Sequence, residues 1–208
     1  LNESKGYDLF CQAIDNVLKK YDDWVAFSIG DEKRFQPYYT HKRHKNLGLL
    51  DNKKILKIFE QSEIAVIPSR WDEPFGRTSL ESSSRGCATI ISNKGGLPET
   101  TDYAIILKNL NIHNIEKEVI KLINNKQLRR KLQFSGLKNL KHSLKSNSKK
   151  IDFMRSSLFP FANFNTNKGK LRILNIYNLA QKLNHRIYNL SLGKKFTNGF
   201  IRNGHDVI

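Results

Sequence analysis

The 208-residue sequence contains few of the residues that mark disulfide-rich, metal-binding or membrane-spanning proteins. There are two cysteines, Cys11 and Cys87, and a single methionine, Met154. Both cysteines lie in apolar periodic segments, so we expect buried thiols in a reducing cytosol rather than a disulfide or a redox site. No run approaches the roughly 20 apolar residues that span a bilayer. No His, Cys and Asp cluster has metal-ligand spacing either, so no metal is expected.

Acidic residues are scarce towards the end of the sequence. Residues 141–208 carry 13 Lys and Arg against 2 Asp and Glu, whereas residues 1–140 carry 23 against 17. A basic segment of this kind indicates contact with nucleic acid or with an anionic membrane. A preference of the source genome for Lys, Asn and Ile would produce the same composition, so both interpretations stay open. No recognised motif organises the aromatic residues there, and no specific nucleic-acid partner is expected.

What the sequence does contain is a regular alternation of short apolar runs with amphipathic segments. The predicted strands cover residues 24–29, 63–68, 87–91 and 103–107, and the predicted helices cover 7–21, 52–61, 114–124 and 126–145. This order is typical of the α/β class, and it predicts a Rossmann-like, doubly wound parallel sheet over residues 1–145. Ligands of such sheets bind beyond the carboxyl ends of the strands.

The remainder of the chain reads as a linker followed by an incomplete unit. Residues 146–170 mix Ser, Asn, Lys and Phe with no sustained period. Residues 171–208 then begin again, with a strand-like run at 171–177, a helix over 184–203 and the start of a strand at Asp206. Such a βα(β) piece is too small to close a hydrophobic core alone.

The most informative segment is the nine-residue run from Glu73 to Glu81, EPFGRTSLE, which follows a predicted strand. Gly76 opens a predicted helix whose first N–H groups and hydroxyls suit a diphosphate. Glu81, farther along that helix, offers an acceptor to ribose hydroxyls, and Glu73 offers one to a sugar. Two other interpretations are solvated surface acids with an Arg77–Glu81 helical pair, and a glycosidase acid and base pair.

Residues 68–81, together with Arg85–Ser92 and Gly95–Glu99, resemble the donor-binding half of retaining GT-B glycosyltransferases with the E-x7-E signature. That family includes glycogen and sucrose synthases and bacterial polysaccharide transferases, and the resemblance covers about residues 1–157. It implies the C-terminal half of a GT-B fold. It also implies a hexosyltransferase-like enzyme that moves a sugar from a nucleotide-sugar donor to a glycan or lipid-linked acceptor with retention. The resemblance further implies a cytoplasmic protein, with a peripheral position at the inner face of the membrane as an additional expectation. It implies no cofactor and no metal.

The resemblance also implies roles for individual residues. Lys5, in the segment Ser4-Lys5-Gly6, would neutralise the leaving diphosphate, and Glu73 would contact the donor sugar; these two are the predicted catalytic residues. Gly95 and Gly96 are read either as a tight turn or as a donor contact. The predicted donor-binding residues are Glu81 for the ribose, Leu50 for the base, and Phe75, Gly76, Arg77, Thr78 and Ser79 for sugar and phosphate.

The order of the segments is unusual for this family, in which the acceptor-binding domain comes first. Here the donor-binding half comes first, and residues 171–208 resemble the opening strand and helix of a second transferase. Since Leu1 is not an initiator, we interpret the chain as the end of one transferase and the start of another in a tandem protein. A permuted or joined chain is the alternative. We expect donor binding with little or no transfer, and the alternative function is a non-catalytic nucleotide-sugar-binding or scaffold domain.

Overall fold

The computed structural model describes residues 2–30 and 41–158, and in the last quarter of the chain only residues 172–173, 198, 201–203 and 206–207. The chain divides into two compact units, Leu1–Asp152 and Phe153–Ile208, which are described separately. The helices are α1 (Tyr7–Lys20), α2 (Asn52–Glu60), α3 (Arg77–Ser83), α4 (Ile112–Asn124), α5 (Lys126–Lys138) and α6 (Leu144–Leu158). The strands are β1 (Ala26–Ser28), β2 (His44–Asn46), β3 (Ile64–Ile67), β4 (Ala88–Ser92), β5 (Ala104–Leu107), β6 (Arg172–Ile173) and β7 (Asp206–Val207).

The first unit is a parallel α/β domain, as the sequence predicts. Strands β3, β4 and β5 form one parallel sheet with β4 at its centre, and β1 pairs with β2 in parallel. Every residue of β4 is buried, including the polar Thr89 and Ser92, as expected for the central strand of a parallel sheet. The core is made by one face of α1, one face of α4 and the strands β4 and β5. The Rossmann-like parallel architecture is therefore confirmed.

The sheet is divided at the facing edges of β1 and β3. Among the described residues these two strands belong to separate sheets, with an apolar groove of about 410 Å³ between them. Side chains from α1 and α2, including Ile14 and Ile58, line this groove. The sequence predicts one continuous sheet, whereas among the described residues β1 and β2 form one sheet and β3, β4 and β5 form another.

Strand β2 was not predicted, because His44-Lys45-Asn46 lacks an apolar alternation. Parallel pairing with β1 fixes it, and His44 is buried edge-on against Phe10, with ring centroids 5.5 Å apart. A neutral, polar side chain therefore takes the inward position that strand patterns usually give to an apolar residue.

Two helix boundaries also differ from the prediction. The predicted helix 126–145 ends at Lys138, and α6 occupies part of the predicted linker 146–170. Ser143 and Ser146 exchange hydrogen bonds between side-chain hydroxyls and backbone N–H groups at 3.0 and 3.1 Å, which fixes the start of α6. Among the side chains of α6 that the structure describes, Ile151, Phe153 and Met154 are exposed, and none of the described ones forms a buried apolar stripe from which a helix could be predicted.

In the second unit, β6 and β7 pair in parallel, with Arg172 opposite Asp206 and Ile173 opposite Val207. Most of the helix predicted over residues 184–203 lies outside the described residues, as does nearly all of the strand-like run 171–177. The boundaries of the linker and of the second transferase-like piece stay predictions.

Candidate functional site

A pocket of about 400 Å³ opens where β1 and β3 reach their carboxyl ends, and we call it the carboxyl-end pocket. Its walls come from the loop before α1, the ends of β1 and β3, and helices α2 and α3. This is the edge at which parallel α/β sheets bind ligands. Five of the nine predicted site residues line it: Lys5, Glu73, Gly76, Thr78 and Glu81.

The loop that carries Lys5 lies directly on the end of β3. Gly6 has φ +68°, and a Cβ added there would lie 1.9 Å from the carbonyl oxygen of Pro68. Only glycine fits this close approach. The carbonyl of Ser4 also accepts a hydrogen bond of 2.9 Å from the N–H of Arg70. The Lys5 loop and the loop after β3 are therefore fixed against each other.

Lys5 and Glu73, which are 68 positions apart in the sequence, form an ion pair. The Lys5 Nζ lies 2.5 Å from Glu73 Oε1, with 49% of the lysine side chain and 16% of the glutamate side chain exposed. An ion pair with this much solvent access contributes roughly 1 kcal/mol or less. The ammonium group is therefore able to exchange this carboxylate for an anionic ligand at little cost.

Ser69 is a member of the site that sequence reasoning missed. Its buried hydroxyl lies 3.0 Å from Glu73 Oε1, the same oxygen that Lys5 contacts. The hydroxyl also lies 3.0 Å from the carbonyl of Trp71, and the Ser69 carbonyl accepts a 2.6 Å hydrogen bond from the Ser92 hydroxyl. The Glu73 carboxylate is thus oriented by a buried donor. The only feature of the sequence that could have pointed to Ser69 is its position just beyond β3.

Gly95 and Gly96 pack beneath the backbone that carries Glu73. A Cβ on Gly95 would lie 2.3 Å from the Glu73 carbonyl oxygen, and the N–H of Gly96 donates to that oxygen at 2.6 Å. These contacts favour the interpretation of the two glycines as a tight turn. Neither glycine lines the pocket, so the structure gives no contact that would support a donor-binding role.

Helix α3 presents Glu81 and its own first turn to the pocket. Gly76 caps α3 with φ +83°, and a Cβ there would lie 2.5 Å from a methyl group of Leu97. Glu81 accepts from Arg77 at 3.0 Å and from Asn52 at 3.4 Å. The helical Arg77–Glu81 pair exists, and Glu81 nevertheless lines the pocket. Asn52, at the start of α2, is a second polar contact that the sequence did not reveal.

Four predicted residues do not line the pocket. Ser79 is fully buried, its hydroxyl lies 2.8 Å from that of Thr100, and its N–H is bonded to the Gly76 carbonyl. Ser79 therefore serves the packing of α3, and its N–H is not available to a phosphate. The other three lie outside the lining: Phe75 edge-on to His142, Arg77 on the exposed side of α3, and Leu50 immediately before the Asp51 cap of α2.

The far wall of the pocket carries a buried polar group at the end of β1. The hydroxyls of Tyr7 and Ser28 lie 3.2 Å apart, and His44 Nε2 lies 3.3 Å from the Ser28 hydroxyl. Burial lowers the pKa of His44, so the imidazole is neutral at physiological pH. Asp15 Oδ1 lies 3.6 Å from His44 Nδ1. Tyr7 and Ser28 line the pocket on this side and offer it their hydroxyls.

Two further properties concern the described residues only. They contain no group of three or more His, Cys, Asp or Glu side chains that could hold a metal ion. None of their helices combines the length and the apolar character needed to cross a bilayer.

The parallel α/β domain, with a cation and two carboxylates at the carboxyl ends of its strands, has the fold of the Rossmann-like C-terminal half of GT-B glycosyltransferases. The chain belongs to the family described as "Glycosyl transferases group 1", whose model matches residues 1–139. It is therefore a glycosyltransferase-family chain.

Individual relatives are distant, and most of them are longer than this chain. "Spore coat protein SA" of Bacillus subtilis is 26% identical over 115 residues, which are 49% of this chain and 30% of that protein. The C-terminal domain of a group 1 glycosyltransferase (LpcC) from Francisella tularensis superposes with a TM-score of 0.57 and 25% identity, over 66% of this chain and 78% of that one. Anabaena Alr3699/HepE, solved with UDP-glucose, gives a TM-score of 0.60 and 17% identity, over 76% of this chain and 46% of that one. This chain thus spans about a third to a half of most relatives.

Proposed function

We propose that the carboxyl-end pocket binds a nucleotide-sugar donor and that the protein containing this chain transfers the sugar with retention of configuration. The observation that carries the proposal is the convergence of Lys5, Glu73 and Glu81 on one pocket, although Lys5 is far from both in the sequence. The UDP-glucose bound to HepE, a protein of the same fold, makes UDP-sugars the first donors to test.

Each side chain suits one part of such a donor. Glu81, held by Arg77 and Asn52, accepts hydrogen bonds from the ribose hydroxyls. Glu73 accepts from hydroxyls of the transferred sugar. The helical hydrogen bonds of α3 begin with Ser79 and Leu80, so the N–H groups of Arg77 and Thr78 stay available to phosphate oxygens.

Lys5 supplies the positive charge for the leaving diphosphate. The negative charge on that group grows as the glycosidic bond breaks, and a preorganised ammonium stabilises it most strongly at that point. When the donor binds, the ion pair between Lys5 and Glu73 breaks. The Lys5 ammonium then contacts the diphosphate, and the Glu73 carboxylate contacts the sugar. We propose that no metal is needed, since the lysine provides the charge that a cation would otherwise supply.

The acceptor is proposed from the family alone. We infer a glycan or lipid-linked acceptor, and a cytoplasmic location at the inner face of the membrane. The acceptor-binding half is not among the described residues, so we expect this chain to bind donor with little or no transfer.

Calorimetric titration with UDP-, GDP- and ADP-sugars tests donor binding. We expect at least one of them to bind with a Kd below about 1 mM, the usual upper range for enzyme substrates. The free nucleoside diphosphates are titrated in parallel. A sample that is folded by circular dichroism but binds none of these ligands would refute the proposal.

Variants of the two carboxylates separate their roles. We expect Glu81→Gln to weaken binding of nucleoside diphosphate and nucleotide sugar alike by about 10-fold, as loss of a charged hydrogen bond implies. Glu73→Gln should weaken only the nucleotide sugar. Glu60→Gln, which changes an exposed acid of α2 outside the pocket, is the matched control.

Transfer itself requires the full-length protein. We expect Glu81→Gln to reduce its kcat/KM and the product to keep the anomeric configuration of the donor, as read by NMR. An inverted product would contradict retention. Unchanged transfer by Glu81→Ala would favour the alternative of a non-catalytic binding or scaffold domain.

A further inference from the structure

The net positive charge of the first unit lies in a single stretch. Residues 119–151 contain ten Lys and Arg and no Asp or Glu, whereas residues 1–118 contain 17 of each kind. A preference of the genome for lysine would act along the whole sequence and would not leave the first 118 residues balanced. The excess therefore calls for a local explanation.

Helix α5 lies in the middle of this stretch and carries apolar side chains on its exposed side. Arg130, Phe134 and Leu137 follow each other at helical spacing, and 64% of Phe134 and 50% of Leu137 are exposed. Lys131 and Lys138 flank them, both exposed. We call these five residues the basic face of α5. Leu140, just beyond the helix, is exposed as well.

The opposite side of α5 is fixed to the domain. Arg129 is buried, lies 3.0 Å from Glu63, and donates to the carbonyls of Leu122 and Ile123 at the end of α4. A Cβ added at Gly136 would lie 2.5 Å from the Ser83 hydroxyl, so α5 also packs closely on α3. The basic face is therefore held outward by contacts on the other side of the helix.

The cations of the basic face are not held in close ion pairs. Within the described part of the chain, no carboxylate lies within ion-pair distance of Arg130, Lys131 or Lys138, whereas the neighbouring Lys141 pairs with Asp102. The ammonium of Lys138 lies 5.7 Å from the ring of Phe134 instead. Exposed cations interleaved with exposed apolar side chains suit a surface that offers both negative charge and an apolar layer.

We propose that the basic face of α5 docks on an anionic membrane surface. Lipid phosphates contact Arg130, Lys131 and Lys138, while Phe134 and Leu137 enter the boundary between headgroups and acyl chains. Leucine favours lipid over nucleic acid, because bases stack on aromatic rings and guanidinium groups and gain nothing comparable from an aliphatic side chain. The inference is independent of the proposed donor site, since none of these residues lines the carboxyl-end pocket.

Vesicle co-sedimentation in 0.1 M salt tests the proposal. Vesicles of phosphatidylcholine with 25% phosphatidylglycerol are compared with vesicles of pure phosphatidylcholine. On both, the unaltered protein is compared with the triple variant Arg130→Gln, Lys131→Gln, Lys138→Gln. Each cation near an anionic surface contributes about fivefold, so the triple variant should lower partitioning on the order of 100-fold. The matched control, Lys19→Gln, Lys45→Gln, Lys108→Gln, removes the same charge from exposed positions outside residues 119–151.

A second variant tests the apolar contribution at constant charge. Phe134→Ser with Leu137→Ser should lower partitioning about 10-fold or more, with an unchanged far-ultraviolet circular dichroism spectrum. The proposal would be overturned if the basic-face triple variant and the control triple variant lost vesicle binding equally, because binding would then follow net charge alone. The proposal would also be overturned if this protein retained duplex DNA but did not bind anionic vesicles.

Discussion

At the scale of single residues, the environment of Glu73 separates it from the other carboxylates of the chain. Its Oε1 lies within hydrogen-bonding distance of the buried Ser69 hydroxyl and carries the Lys5 ammonium. Its backbone rests on Gly95 and Gly96. A side chain held at so many points loses little conformational freedom when a ligand binds, which suits a residue proposed to recognise a sugar.

Ser69 should act by positioning Glu73. We expect Ser69→Ala to weaken nucleotide-sugar binding about 10-fold and to leave the Kd of the matching nucleoside diphosphate within about twofold, because only the sugar depends on Glu73. Ser92→Ala is the matched control: Ser92 is equally buried and adjacent, and its hydroxyl contacts the Ser69 backbone instead of Glu73. Calorimetry with both ligands measures the difference, and an equal loss for the two would show that Ser69 only supports the fold.

At the scale of elements, α1 is tied to the loop after β3 by an ion pair. Both Nη atoms of Arg70 contact the carboxylate of Asp8, at 2.5 and 2.6 Å. The hydrogen bond from Arg70 holds the pKa of Asp8 below its usual value. The pair therefore connects the helix that follows the Lys5 loop to the loop that leads to Glu73.

This pair gives a prediction for stability against pH. Because the folded pKa of Asp8 is lowered, its contribution is present above the unfolded pKa near 4 and is lost as pH falls through the folded value. We expect Arg70→Gln to lower the free energy of unfolding by about 1 kcal/mol or less at pH 6.5, since the pair is partly exposed. In urea unfolding, the difference in free energy of unfolding between Arg70→Gln and the unaltered protein should become smaller below pH 4. The control, Lys108→Gln, changes an exposed cation outside any ion pair of the described residues and should show no such narrowing. A constant Arg70→Gln difference in the free energy of unfolding down to pH 2.5 would contradict the assignment.

At the scale of the whole molecule, the first unit contains both the core and the carboxyl-end pocket. The buried cluster runs from Ala13 to Leu122, and the pocket is lined by residues between Lys5 and Leu97. The family model ends at residue 139, within the same unit. Folding and donor binding should therefore both reside in residues 1–152.

A chain truncated after Leu158, the last residue of α6, tests this. We expect its thermal unfolding midpoint to stay within about 3 °C of that of the full 208 residues, because the buried apolar contacts described above are retained. Its affinity for the donor should stay within twofold. Loss of cooperative unfolding on truncation would show that the second unit contributes to the core of the first.

Local patterns in the sequence determined the order of the elements and the position of the E-x7-E segment. Amphipathic stripes and apolar runs predict α1, α2, β3, β4 and β5 to within a few residues, because each depends on burying its own side chains. The cap of α2 is a local contact as well: the Asp51 side chain accepts from the N–H of Lys54 at 3.0 Å. The parallel α/β class follows from that order.

Contacts between distant segments were decided only by the tertiary structure. Three contacts join residues far apart in sequence, which no local period encodes: the ion pair of Lys5 with Glu73, the hydrogen bond from Ser92 to the Ser69 carbonyl, and the pairing of β2 with β1. Ser79 shows the converse: the motif suggests a phosphate contact, and packing against Thr100 turns the side chain inward. The sequence identified candidate donor-binding residues. The tertiary structure, by bringing the Lys5 loop, the loop after β3 and helix α3 together at the carboxyl ends of the strands, determined which of these candidates share a pocket.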